Sequence, residues 1–137
     1  MIVLDTNVLS ELMRPEPAAA VLDWMAAQPA ALHVTTLTCA EILFGIALMA
    51  EGRRRQGLAE QAERMFAEDF AGRILGFDLA AATAYAAIAA ERQRAGQRLS
   101  PVDGMIAAIA RVHGAAIATR DGDLAGCGVP LIDPWQA

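Results

Sequence analysis

Strand-length runs alternate with stretches of helical periodicity along this chain, and that alternation constrains the fold more than any other feature. Met1 to Leu4, Leu32 to Thr35, Arg73 to Phe77 and Ala115 to Ala118 each have a strand's length, and Pro130-Leu131-Ile132 offers a short fifth. A short apolar run bounded by turn or cap residues suits a strand covered on both faces. Helices are predicted between them. They run over Asn7 to Met13, from Pro17 to about Ala27, and from a cap at Thr36 or Thr38 to about Ala50. Further helices run from about Gln56 to Phe70, from an Asp78 cap to about Arg94, and from Ser100-Pro101 to about His113. Gly52 breaks one helix, while Gly96 and Gly114 stop two others. Strands alternating with helices predict an α/β protein, with a central parallel sheet of four to five strands flanked by helices. At 137 residues the chain is expected to be one domain, 1–137, with enough interior to fold without disulfides.

Each of four acidic signatures falls where a strand ends or a helix begins. They are Val3-Leu4-Asp5-Thr6-Asn7, Ala40-Glu41-Ile42-Leu43-Phe44-Gly45, Ser100-Pro101-Val102-Asp103 and Ala118-Thr119-Arg120-Asp121-Gly122-Asp123. In an open α/β sheet those positions border the binding crevice. Carboxylates that share a pocket repel one another unless protons or a cation neutralise them. A hard divalent ion with oxygen ligands does so.

Taken singly, each carboxylate has a second explanation. Asp5 serves as a ligand at the mouth of the sheet or as the N-cap of the next helix. Glu41 stands three residues after Thr38, the spacing of a capping box. Its neighbours Ile42, Leu43, Phe44 and Ile46 predict an apolar setting, in which a carboxylate needs a partner or a raised pKa. Asp103 repeats the capping pattern after Ser100, at the start of a helix apolar enough to be central. The helix dipole there favours its ionised form. Asp121-Gly122-Asp123 is also a common turn. His33 and His113 lack ligand spacing and read as structural, Trp24 and Trp135 as packing residues. Arg53-Arg54-Arg55 reads as a solvated helix start, with RNA or a partner as a candidate contact.

Composition limits the remaining classes. Net charge is -5 and the sequence pI is about 4.9, which disfavours a protein that coats nucleic acid. A bound cation would invert the local field. All eleven basic residues are arginine, well suited to phosphate, although a composition bias is the simpler explanation. The hydrophobic fraction of 55% leaves apolar surface for a partner. Cys39 and Cys127 have no paired metal spacing and are expected as free thiols. The apolar stretch from Thr35 to Ala50 contains Glu41 and is too short to span a bilayer. With Asp at position 5 and no charged leader, the expectation is a cytoplasmic protein without membrane segments.

Together, and in this order, the four signatures resemble the PIN-domain nucleases, in particular the VapC-type ribonuclease toxins of toxin–antitoxin pairs. The opening Ile2-Val3-Leu4-Asp5-Thr6-Asn7 is the best-known mark. The closing Gly128-Val129-Pro130-Leu131-Ile132-Asp133-Pro134-Trp135 resembles the FitB-like subgroup. The resemblance covers nearly the whole chain and implies a PIN-like three-layer sandwich. It implies an acidic core of Asp5, Glu41 and Asp103, completed by Asp121 or Asp123, with Asp121 preferred. This last loop is one residue shorter than the usual family pattern, and Leu124 replaces an aromatic residue. Thr6, Asn7, Ser100 and Thr119 would support the ligands. The implied activity is hydrolysis of RNA phosphodiesters with Mg²⁺ or Mn²⁺. The implied partners are a cognate antitoxin and a second copy of the chain. Two other functions fit carboxylates at strand ends: a small metal-dependent phosphatase, and a non-catalytic protein-binding module.

Overall fold

The computed structural model describes residues 1–28 and 31–137. Among them, five strands form one parallel sheet: β1 (Ile2–Leu4), β2 (Leu32–Thr35), β3 (Ile74–Leu75), β4 (Ala116–Ala118) and β5 (Leu131–Ile132). The order across the sheet is β3-β2-β1-β4-β5. The chain winds outward from β1 to β3, then returns to the other side of β1 for β4 and β5. The reversal lies between β1 and β4, paired Leu4 with Ala118. Ligand crevices form outside the carboxyl ends of strands at such a switch point.

The described residues also form six α-helices: α1 (Thr6–Leu12), α2 (Ala19–Ala26), α3 (Thr36–Ala47), α4 (Arg53–Arg64), α5 (Leu79–Arg94) and α6 (Pro101–Val112). Side chains alternate across each strand, so two cores result. Leu4, Leu32, Val34 and Ala118 pack with Val8, Leu9, Val21, Trp24, Ile42 and Ile46 of α1 to α3. Val3 and Ile117 pack on the opposite face with Ile88 of α5 and Ile106, Ala107 and Ala110 of α6. This is the expected three-layer sandwich. Glycine lets α6 lie close to α5: a Cβ at Gly104 would stand 2.9 Å from the Tyr85 ring.

Several boundaries differ from the sequence expectation. The second helix begins at Ala19, because Pro17 belongs to the turn that leads into it. The third is capped by Thr35, the last residue of β2, whose hydroxyl accepts the Thr38 N–H. Glu41 is therefore not the third residue of a capping box but lies in the second turn of α3. It is exposed, as are Leu43 and Phe44, so the apolar setting expected for it does not form. The fourth helix begins at Arg53, directly after Gly52 (φ +151°), and the three arginines make its first turn. It continues as a π-helical turn over Met65–Asp69. Asp78 and Ser100 cap α5 and α6 as predicted.

Candidate active site

The floor of the crevice is built from the ends of the two strands at the switch point. Asp5 follows β1, and its N–H donates to Ala118 O at 2.9 Å, which extends the ladder by one residue. Thr119 is the next residue of β4. Both side chains are almost fully buried, Asp5 at 4% and Thr119 at 3% exposure. The Thr119 hydroxyl donates to Asp5 Oδ2 at 2.8 Å and accepts from Asn7 Nδ2 at 2.9 Å and from Asp121 N at 2.9 Å. Its capacity is then filled. Asn7 Nδ2 also reaches Asp5 Oδ2 at 3.3 Å, and Thr6 N donates to Asp5 Oδ1 at 2.9 Å. Asp5 is thus both the N-cap of α1 and the floor of the crevice.

The walls come from three other segments. Glu41 reaches in from α3, and its Oε1 accepts the Thr6 hydroxyl at 2.6 Å. Thr38 Oγ1 lies 3.1 Å from Thr6 Oγ1 and, with the Thr6 proton spent on Glu41, acts as donor. Asp103 stands in the first turn of α6, its N–H held by Ser100 Oγ at 3.2 Å. Asp121 follows β4, and its Oδ1 accepts Asp123 N at 2.9 Å to start a 3₁₀ turn. Asp5, Thr6, Asn7, Glu41, Asp103 and Asp121 line one open crevice of about 520 Å³. Asp123 is exposed and does not line it. Ser100 supports Asp103 through the backbone but faces a separate depression beside Tyr85.

Sequence reading named Asn7 but passed over Ser10 and Glu11 of α1 and Arg14 just past its end, which follow Asn7 at helical spacing and also line the crevice. Glu11 is buried at 4% exposure; its Oε2 accepts Ala18 N at 2.9 Å, and Arg14 Nη1 lies 3.2 Å from Oε1. The Ala18 N–H, then Arg14, holds its carboxyl below the ordinary range. The i, i+3, i+4, i+7 pattern starting at Asn7 is the signal that would have found it.

Electrostatics separates these carboxyls. Burial pushes the Asp5 carboxyl up, against the lowering hydrogen bonds from Thr119 and Thr6, and the charges of Asp103 and Glu41 add to the rise. Asp103 is also raised, first by burial and then, against Ser100, by the charges of Asp121, Glu41 and Asp123. Mutual repulsion across an open crevice is relieved by a cation. The donors are all hard oxygens. Among the described residues no three His, Cys, Asp or Glu side chains are already gathered into a cage. The set fits an ion held through one or two carboxylates and completed by water and phosphate, which is the habit of Mg²⁺. Burial also raises the thiols of Cys39 and Cys127, as befits unpaired structural cysteines. No helix among the described residues is long and apolar enough to cross a membrane.

A family profile described as PIN domain matches residues 2–128. The chain is 45% identical to the plasmid stability protein StbB of Pseudomonas syringae pv. tomato over the full length of both. It is 43% identical to the VapC ribonuclease Y4jK of Sinorhizobium fredii and 38% identical to the toxin FitB of Neisseria gonorrhoeae, each over 99% of both chains. The crystal structure of FitAcB from Neisseria gonorrhoeae superposes with a TM-score of 0.91 at 37% identity, covering 100% of both chains.

Proposed function

The chain belongs to the PIN-domain family, and we propose that it is a single-domain, divalent-metal-dependent endoribonuclease, the toxin of a toxin–antitoxin pair. One observation carries this reading: carboxylates from β1, α3, α6 and the loop after β4 meet in a single crevice at the switch point of the sheet. The relatives named ribonuclease and toxin, alike over their whole length, support it.

In this reading Asp5 and Asp103 are the first ligands of Mg²⁺ or Mn²⁺, with Glu41 and Asp121 beside them. A bound ion would supply an acidified water and neutralise negative charge developing on the phosphate oxygens. The chain's own residues do the positioning. Thr119, Asn7 and the Thr6 N–H hold the Asp5 carboxylate in one rotamer. Thr6 engages Glu41 Oε1, which leaves Oε2 to accept from a water. Water would attack the phosphorus in line and pass a proton to Glu41 Oε2, while the ribose oxygen opposite would depart and take a proton from solvent. Asp121 lines the crevice and Asp123 does not, which supports Asp121 as the fourth carboxylate.

The partner is a cognate antitoxin. Beside the crevice and sharing Thr6, Ser10, Arg14 and Glu41 with it runs a groove between α1, α3 and α4, floored by Met13, Ile42, Ile46 and Leu58. Arg53 and Arg54 stand at its far end. An amphipathic antitoxin segment fits there, basic where it enters the acidic crevice and acidic near the two arginines. The assembly is a homodimer or a larger toxin–antitoxin complex, and the compartment is the cytoplasm.

The test is cleavage of RNA by the purified protein with Mg²⁺ or Mn²⁺, stopped by EDTA. Asp5→Asn and Asp103→Asn must each abolish it without unfolding. Retained metal-dependent activity in both variants would overturn the site. Release of phosphate from small esters with RNA left intact would mark a phosphatase.

A further inference from the structure

Arg120 follows Thr119 directly and lines the crevice beside Asp5, Asp103 and Asp121. Its N–H donates to Asn7 Oδ1 at 3.4 Å, which ties its backbone to the floor of the site. Its guanidinium carbon lies 4.1 Å from the centroid of the Trp135 ring, over the ring face. Trp135 is half-buried. It packs against the core that contains Leu4, and its N–H is held by Asp133 Oδ1 at 2.9 Å.

The other crevice arginine, Arg14, is committed to buried Glu11, and among the described residues that is the one ion pair. Among the described residues no carboxylate lies within ion-pair distance of the Arg120 guanidinium. A guanidinium over an aromatic face keeps its in-plane N–H donors for another acceptor. The fork of Arg matches a phosphate bidentately.

We infer that Arg120, braced on Trp135, grips a phosphate of the RNA strand next to the one that is cut. This rests on the ribonuclease reading of the crevice. The rim otherwise presents carboxylates, which repel a polyanion until cations bind. Arg120 gives the strand one attractive point whose place is fixed before RNA arrives. Trp135 acts through it as a positioning residue.

The experiment uses the full-length protein, a short single-stranded RNA and Mn²⁺. Arg120→Ala is expected to raise KM about tenfold, the worth of one good charge-assisted contact, with kcat changed less than twofold. The slope of log affinity against log salt should fall by about 0.7, one phosphate of a single strand. Trp135→Ala should reproduce a large part of the KM rise, and Trp135→Phe should restore the wild-type value. Unchanged KM and salt slope in Arg120→Ala, with only a lower melting temperature, would overturn the inference and leave Arg120 as a pin for the C-terminal segment. A kcat loss without a KM change would overturn it as well. Failure of the parent reading looks different: wild-type protein then cleaves no RNA, and both proposals fall.

Discussion

The floor and the rim of the crevice are held in opposite ways. Asp5 and Thr119 sit just past the ends of adjacent strands, buried, and Asn7, half-buried in the first turn of α1, bonds to both. Glu41, Asp103 and Asp121 come from a helix, another helix and a loop, and each is anchored by few bonds. A buried network has one good arrangement, because any broken bond leaves an unpaired polar group out of reach of water. Glu41 is exposed, and Asp103 and Asp121 are only half-buried, so these carboxylates can swing at lower cost than the floor. The floor therefore fixes where the chemistry occurs, and the rim has the freedom to close on an ion and a phosphate.

Asp5→Asn tests that contrast most severely. Loss of a supporting group around a metal costs about 10–100-fold, so loss of Asp5 itself should cost more than about a hundredfold in RNA cleavage. Circular dichroism should show the fold intact. A variant within tenfold of wild type would put the chemistry on the rim.

Thr119→Val comes next. It deletes the hydroxyl that serves Asp5, Asn7 and Asp121 and should destabilise the protein by about 1–3 kcal/mol. Activity should drop about 10–100-fold. Denaturant unfolding and initial rates would measure both. If stability is unchanged, the floor is less tightly coupled than its geometry indicates.

Glu41→Gln addresses the rim. Exposed positions away from packing usually shift stability by about 0.5 kcal/mol or less, so its melting curve should match wild type while cleavage slows about tenfold or more. A matching loss of stability would make Glu41 part of the floor.

The smallest effect is in pH dependence, measured without metal. Asp5 has a raised native pKa, so the folded state binds its proton at a pH where the unfolded chain, near 3.8, does not. Its ionisation then opposes folding at neutral pH, and stability is regained as pH falls through the native value toward 3.8. Glu11 acts in the opposite direction: its lowered pKa stabilises above the ordinary glutamate value, and that contribution is lost as pH falls through the native value. The difference between wild type and Asp5→Asn isolates the first term. It should shrink as pH falls over that window, and a difference independent of pH would show that Asp5 is not held in a costly ionised form.

Much of the layout was legible from local signals. Ile2-Val3-Leu4 is a short apolar run that ends on a cap residue, and Ser100-Pro101 and Asp78 announce helix starts through their side chains. Errors arose where neighbours in space competed with neighbours in sequence. Thr38 with Glu41 satisfies the spacing of a capping box, yet Thr35 caps α3 because β2 ends there and leaves its hydroxyl over the Thr38 N–H. Apolar neighbours suggested a buried Glu41, but Leu43 and Phe44 point outward at 48% and 65% exposure. Those exposed residues place apolar surface on α3, which the sequence expressed only as excess hydrophobicity.

The sequence by itself determined the alternation of strand and helix, the carboxylates at their junctions and the family to which such a pattern belongs. The alternation and the junctions depend on periodicity and capping, which act over a few residues; the family is carried by the resemblance of the four ordered motifs. The tertiary structure decided which groups meet. It brought Thr119 onto Asp5 across 114 positions, turned Asp121 inward and left Asp123 outside, buried Glu11 at the edge of the crevice, and set Arg120 on Trp135. Such choices depend on strand order and on the packing of helices against the sheet, and no spacing within a single segment encodes them.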